Sequence, residues 1–397
     1  MTAGAAAATA PPVAAWFGRV PAMGLVANAA AIPLFSAALV PLLLAAVVLP
    51  FSEPAARVLV ASAWPWLAAG RAVVGALAAL PMCWLDVSLS APGAAGLSAA
   101  VFAMLLLRGP VRMATVIAGV VVAIAAAVVP PRLPPSMEVT FLAVGQGDAS
   151  VVRFANGGVV LVDTGPERAG RRVIVPFLRS LGVRRIDAIA ISHAHPDHTG
   201  GLADILRAFP VAELWLAGPV GGDSGLDAAV APLAARHTRV VQVGTGAASR
   251  AFGEARIDFL AGEASERPGK RNDRSVVLRA SDPRWSVLFS GDLERAGEDR
   301  LVASGAGLAS DVVKTPHHGS STSSTTAFIR ASAPRLAIAQ TGLGNRFGFP
   351  NADVVARWRA AGSGWLDTAQ EGAITVWACD RAICASSFVD PHRPVGY

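Results

Sequence analysis

An α-helical membrane segment followed by a layered α/β domain is the fold class that the sequence predicts, on three observations. The chain of 397 residues is 53% hydrophobic and only 16% charged, with a mean hydropathy of +0.48, which argues against a wholly cytosolic or disordered protein. Residues 1–135 hold six Arg, two acids (Glu53 and Asp86) and neither Lys nor His, whereas all seven His lie beyond residue 190. From residue 137 onward, short β-type runs alternate with amphipathic stretches, the texture of a layered architecture. Net charge divides as +4 and +2 between the two parts, so the high isoelectric point does not come from a strongly basic C-terminal domain. Charge alone therefore gives weak support for nucleic-acid binding.

Residues 24–50 carry no charge over 27 positions, long enough to span a hydrocarbon core. This stretch starts late and lacks a basic run before a short apolar core, so it is read as a transmembrane span and not as a cleavable signal peptide. Residues 56–81 are interrupted by Pro65, Arg71 and Pro81, and three alternatives stay open: a span, a re-entrant helix, or an interfacial helix anchored by Trp64 and Trp66. Residues 95–107 and 113–130 are apolar runs joined by Arg108, Gly109, Pro110, Val111 and Arg112, read as a tight turn between helices; the first run is short for a span. Basic residues in short loops stay cytoplasmic, so Arg108 and Arg112 predict a final helix running outward. A stiff linker follows, from Pro130 to Pro135. The expected division is a membrane part over 1–135, a polar domain over 137–385 and a tail over 386–397.

In the polar domain the hydrophobic pattern predicts strands at 138–143, 149–154, 158–162, 186–192, 214–216, 240–243, 256–259, 275–279, 286–290, 311–314, 336–339 and 373–377. Helices are expected at 169–181 and 202–209. Cys379 and Cys384, with four residues between them, are either two ordinary small residues or a hairpin disulfide in an oxidising compartment.

The residues that carry chemistry cluster at strand ends. Ser192-His193-Ala194-His195-Pro196-Asp197-His198 packs three imidazoles and a carboxylate into six residues, the ligand types that suit zinc or other first-row divalent ions. If the strand ends at Ser192, His193 and His195 project toward one metal, while Asp197 and His198 open the next helix toward a second. A metal pair clamps both sides of an in-line displacement. Ser290-Gly291-Asp292 offers a carboxylate able to bridge two ions, and Pro316-His317-His318-Gly319-Ser320 offers further imidazoles; because adjacent side chains diverge, only one of His317 and His318 is expected to ligate metal, the other binding a phosphate oxygen or donating a proton. Asp163-Thr164-Gly165 is either an Asx-type turn or a carboxylate that orients a metal-binding His. Gly145-Gln146-Gly147-Asp148 is a tight turn whose N–H groups could face an anion.

Through His193, His195, Asp197, His198 and Asp292 the sequence resembles the metallo-β-lactamase superfamily. Val144–Ala149 (VGQGDA), Asp163-Thr164-Gly165, His193–Gly201 (HAHPDHTGG), Asn272–Ser275 (NDRS), Ser290–Asp292, Lys314–Ser320 (KTPHHGS) and Asn345–Pro350 make it similar to the C-terminal domain of competence proteins of the ComEC type, which import DNA across the inner membrane. Trp16–Pro41 resembles the end of that family's channel domain. The resemblance implies an αββα sandwich over residues 137–380 or so, one or two divalent ions (Zn or Mn), and the ligands His193, His195, Asp197, His198, Asp292 and His317 or His318. Asp197, His317, His318 and Lys314 are the expected catalytic residues. The family's N-terminal domain and most of its channel helices have no counterpart, which reads as a C-terminal fragment or a shortened reading frame. Phe349 stands where the family pattern has His. His237 is the one His available for an extra ligand between the first cluster and Asp292; without it the first metal has an open or water-filled position, or Asn272 near it.

The function so implied is a metal-dependent phosphodiesterase or nuclease acting on incoming DNA, with DNA, the cytoplasmic membrane and other DNA-uptake proteins as partners. The protein is expected to be multi-pass in the inner membrane with its metallo domain on the outer face. Arg274, Lys314 and Ser320 are candidate phosphate contacts, and Trp215, Trp285 and Trp358 candidate stacking platforms. Two alternatives stand beside it: a DNA-channel component with an inactive or structural metallo domain, and a hydrolase of a small ester or lactam.

Overall fold

The computed structural model describes residues 2–17, 20–80, 83–85, 87, 89, 91–128, 133–218, 226, 230, 238–262, 272–380, 382–391 and 395–397. It divides into two compact units, residues 1–130 and 131–397.

The first unit consists of α1 (Thr2–Phe17), α2 (Gly24–Val48), α3 (Glu53–Ala78), α4 (Ala91–Leu106) and α5 (Gly109–Val128), with a two-residue pairing of β1 (Val20–Pro21) and β2 (Trp84–Leu85). Three of these helices, α2, α3 and α5, are long and apolar enough to cross a membrane. Residues 53–78 form one continuous helix: Ser52 caps it by accepting the Ala55 N–H on its hydroxyl, Pro54 occupies the first turn where no N–H is needed, and the helix continues through Pro65. Helix pairing uses small residues. Ala31, Ala38 and Ala45 of α2 and Ala56, Ala63 and Gly70 of α3 recur every seven residues and are buried, and a Cβ on Gly70 would strike the Phe35 ring. Gly96 of α4 and Gly119 of α5 face each other so closely that a Cβ on either would meet the other's carbonyl oxygen, the close approach that small residues allow between apolar helices. The expected five-residue turn at 108–112 is shorter: Leu107 and Arg108 connect the helices, and Arg112 is helical, because Pro110 fits the first turn of α5.

The second unit contains β3 (Glu138–Phe141), β4 (Ser150–Arg153), β5 (Val159–Val162), β6 (Ile186–Ala190), β7 (Val211–Leu216), β8 (Arg239–Gln242), β9 (Arg250–Phe252) and β10 (Ala255–Ala261). It continues through β11 (Val277–Ser281), β12 (Ser286–Phe289), β13 (Val312–Lys314), β14 (Leu336–Ala339), β15 (Gly364–Asp367), β16 (Ile374–Cys379), β17 (Ala382–Ser387) and β18 (Val395–Gly396). Among the described residues these form two mixed sheets, ordered β18-β17-β16-β3-β4-β5-β6-β7-β8 and β15-β14-β13-β12-β11-β10-β9. Side-chain alternation builds the layers. Val160 and Val162 of β5 join Val287 and Phe289 of β12 in the core between the sheets, while Val159 and Leu161 turn outward onto the helices Val175–Ser180 and Leu202–Ala208. Leu288 and Ala337 likewise pack under the helices Arg295–Ala303, Thr326–Ser332 and Ala352–Ala360. The arrangement is the αββα sandwich.

Two details depart from expectation. The helix of 169–181 begins as a π-turn, Gly170–Ile174, and becomes α-helical only at Val175–Ser180, with Pro176 in its first turn. Parts of the stretch expected as a tail from 386 join the sheet: β17 runs to Ser387, Val395 pairs with Ala385, and Tyr397 packs against the core. Cys379 and Cys384 form a disulfide across the β16–β17 hairpin, Cα to Cα 5.8 Å.

Candidate metal centre

The site lies at the carboxyl ends of parallel strands, where an α/β sheet leaves loops free to carry ligands. β5 leads to Asp163, β6 to Ser192 and His193, β12 to Asp292, β13 to the His317-His318 turn, and β14 to Gln340. β4 is antiparallel to β5, so Asp148, just before β4, reaches the same edge. Both His317 (φ 48°) and His318 (φ 54°) are left-handed, at a cost of roughly 1–2 kcal/mol each. This conformation sends the two imidazoles apart.

One oxygen organises the cluster. Asp292 Oδ2 has His198 Nε2 at 3.2 Å, His318 Nε2 at 3.5 Å, and the Nε2 atoms of His193 and His317 each at 3.9 Å. Asp197 Oδ2 completes the near side, 3.5 Å from His318 Nε2 and 3.9 Å from His198 Nε2. His195 stands beside His193, its Nδ1 2.9 Å from His193 Nε2. Ligand-type atoms of Asp148, His198, Asp292 and His318, all buried, lie within 4.8 Å of one another.

The opposite edges of the two central rings are held by acceptors. Asp163 takes the Ser192 N–H on Oδ1 (2.7 Å) and meets His198 Nδ1 with Oδ2 (2.9 Å), so its turn and orienting roles are the same role. His318 Nδ1 faces the Gln340 carbonyl at 2.9 Å and Asp148 Oδ1 at 3.1 Å. With each Nδ1 donating, each Nε2 is the nitrogen left facing Asp292, and on losing its proton it offers a lone pair to a cation there. His198 Nε2 and His318 Nε2 are buried with no hydrogen-bond partner. Two buried imidazole nitrogens without a hydrogen-bond partner, converging on one carboxylate oxygen, are a donor set that a divalent ion completes, so the residues present fit such an ion.

Lys314 is buried, its ammonium paired with Asp148 and 3.4 Å from Asp292 Oδ1, and it donates to the Gly291 carbonyl at 3.0 Å. It therefore does not reach a substrate phosphate, as the sequence suggested, but neutralises the rear of the cluster. Burial alone would raise the carboxylates of Asp148 and Asp292, yet Lys314, His198 and His318 hold both below the usual range. Burial likewise disfavours charge on His198 and His318, but Asp292 with Asp163 holds His198 well above its ordinary value, and Asp292 with Asp148 lifts His318 to about 9. Asp197, despite its partial burial, is held well below the usual range by His318 and His198 beside it. His193 and His317 are lowered, chiefly by burial.

His318 is thus the inner member of the His pair, while His317 sits at the rim with Nδ1 3.4 Å from Glu294 Oε1. Glu294, Gln340 and the carboxylate of Asp148 were missed as site residues; the strand pattern around 336–339 was the only signal for Gln340, and Asp148 was read as part of a turn. That turn is tight: Gly147 (φ 136°) leaves no room for a Cβ against the Asp197 carbonyl. Asn272 lies off the cluster, donating to Glu294 at 3.3 Å, and Asp273 receives the N–H groups of Glu294 and Gly297 at the start of the helix Arg295–Ala303. Ser320 is buried and bonded to Thr322, and Trp215, Trp285 and Trp358 are core residues, so none of these four offers the contact expected of it. His237 lies outside the described residues.

Residues 142–342 match the metallo-β-lactamase superfamily, and residues 1–112 match the family described as Competence protein. The chain is 32% identical to "Competence protein ComA" of Neisseria gonorrhoeae over 90% of its own length and 48% of that protein. It is 30% identical to "ComE operon protein 3" of Bacillus subtilis over 62% of its own length and 33% of that protein. The chain thus spans half or less of the curated relatives it matches. Its strand-end His/Asp cluster, its αββα layers and these matches agree: the chain belongs to the metallo-β-lactamase superfamily, as a competence protein with a metallo-β-lactamase domain behind its apolar helices.

Proposed function

We propose that this protein is a membrane-bound, metal-dependent phosphodiesterase acting on DNA during uptake. The observation that carries the reading is the convergence of His198 and His318, each with a partnerless Nε2, on Asp292 Oδ2. Asp197, His198, Asp292 and His318 would hold one divalent ion, with His193, His195 and the same Asp292 oxygen on its other side. Asp148 is an orienting residue, because it lies against the Nδ1 edges and is committed to Lys314. When bound, the ion supplies Lewis-acid polarisation of a phosphoryl oxygen and acidifies a water. His317, neutral at pH 7 and at the rim, is placed to donate an N–H to a phosphoryl oxygen. Lys314 and Asp148, both buried, close the rear of the cluster. DNA as substrate rests on the competence relatives, and zinc or manganese on the His/Asp ligand set. The Cys379–Cys384 disulfide supports an oxidising location, the outer face of the cytoplasmic membrane.

The test is hydrolysis of single- and double-stranded DNA by the detergent-solubilised full chain, with elemental analysis on the same sample. Activity that tracks divalent metal content and disappears in Asp292→Ala is expected. A metal-loaded chain that cuts neither substrate, or a metal-free Asp197→Ala chain that keeps full activity, overturns the reading.

A further inference from the structure

With the three core tryptophans unavailable, the aromatic surface beside the site belongs to the loop after β14. Phe349 packs its ring against His317 at a centroid distance of 5.5 Å, Phe347 stacks on Phe349 at 5.6 Å with planes 17° apart, and the Arg346 guanidinium carbon lies 5.0 Å from the Phe347 centroid. A line of aromatic rings thus runs from the rim histidine, met edge-on, through two stacked phenylalanines outward to a cation.

The loop is built to hold this line of rings still. Asn345 Nδ2 donates to the carbonyls of Gly342 and Phe349, and Asn345 Oδ1 accepts the N–H groups of Phe347 and Phe349. The Gly342 N–H reaches Gln146 Oε1, and the Asn351 N–H reaches the Gly319 carbonyl, which ties the loop to the turns that carry Asp148 and His318. Yet the tip is apolar and open: Phe347 is 53% and Leu343 87% exposed. An ordered loop that exposes an aromatic ring next to a guanidinium, in line with a phosphate-cutting site, has the chemistry of a base-stacking surface.

We propose that Arg346, Phe347 and Phe349 form a platform on which an unpaired nucleobase of the substrate strand stacks, placing the neighbouring phosphate at His317 and the metal centre. This rests on the DNA-hydrolase reading. Stacking on a π-face accepts any base, so the platform discriminates single-stranded from duplex DNA and not one sequence from another; a duplex keeps its bases stacked on each other. Arg346 adds attraction for the strand's phosphates.

The experiment uses the metal-loaded full chain in detergent and a phosphorothioate-linked single-stranded oligodeoxynucleotide carrying 2-aminopurine, whose fluorescence is quenched by stacking. Phe347→Ala should weaken binding roughly 5- to 150-fold and abolish the quenching. Phe347→Trp should restore both, whereas Phe347→Leu, apolar without a π-face, should behave like the alanine variant. Affinity for a blunt duplex should change less than twofold. Equal single-strand affinity and quenching in the parent and Phe347→Ala overturns the platform. So does a variant that loses binding to phosphatidylglycerol vesicles and not to DNA, which would make the loop tip a lipid contact. Because the readout is binding, it decides the platform even if the parent chain cuts no DNA, the outcome that separately defeats the hydrolase reading.

Discussion

Replacing Asp163 by Asn tests how the cluster prepares itself for a cation. Asp163 is 1% exposed and serves two buried donors, one per oxygen: the Ser192 N–H at 2.7 Å and His198 Nδ1 at 2.9 Å. Asn is nearly isosteric and tolerates the φ of 60° found there, so the backbone turn should survive. It has only one acceptor oxygen, however, and its NH₂ must face one of the two donors. If it faces the Ser192 N–H or the Nδ1–H, a buried donor is orphaned at a cost of about 1–3 kcal/mol. If His198 instead changes tautomer, the proton moves to Nε2 and the lone pair aimed at Asp292 disappears. Metal affinity should then fall about 10- to 100-fold, or about 1.4–2.8 kcal/mol. The assay is titration of Mn²⁺ or Zn²⁺ into the metal-stripped full chain, with thermal unfolding of the stripped protein in parallel. An Asp163→Asn protein that binds metal as tightly as the parent would refute the argument that this carboxylate sets the His198 tautomer.

The remaining expectations concern the same cluster. His318→Ala should strip metal from the protein, whereas His317→Ala should keep it and slow DNA hydrolysis about 10²- to 10³-fold, as lost stabilisation of a phosphoryl oxygen would; equal metal affinities in the two variants would contradict the inner and rim assignment. Lys314→Met removes the buried ammonium that pairs with Asp148 and Asp292, and should destabilise folding by about 3–5 kcal/mol in denaturant titrations; an unaltered midpoint would show that the carboxylates do not need it. In the metal-free protein His318 has a folded pKa of about 9, raised above the ordinary His value, so its stabilisation is complete below pH 6.5 and is lost as pH rises through about 9. Thermal midpoints in chelator should therefore fall over that window, and added divalent ion should reverse the trend because deprotonated His318 is the ligand form; midpoints that rise with pH in chelator would contradict it.

What the sequence determined by itself is whatever short-range pattern can encode. A charge-free run of 27 residues cannot be anything but buried in protein or lipid, so α2 was legible from composition. Short apolar runs at 159–162 and 286–289 announced strands, and the crowding of His193, His195, Asp197 and His198 announced a metal-binding turn, because these residues meet through local backbone geometry alone. Asp292 and the His317-His318 pair were legible as strand-end residues of the right chemistry. Tertiary structure decided the rest, because those choices rest on contacts between residues far apart in the chain. Asp148 reaches His318 only because β4 runs against β5 and the two sheets pack face to face, which turned a glycine turn into a carboxylate of the cluster. Lys314, at a strand end, read as a phosphate contact, but the parallel register of β12, β13 and β14 buries its ammonium under Gly291 and Asp292. The two left-handed residues of the His turn chose which imidazole faces inward, a choice that spacing could not make. The same packing closed Trp215, Trp285 and Trp358 into the core and left Phe347 in the open, since burial is a property of the assembled layers and not of any segment within them.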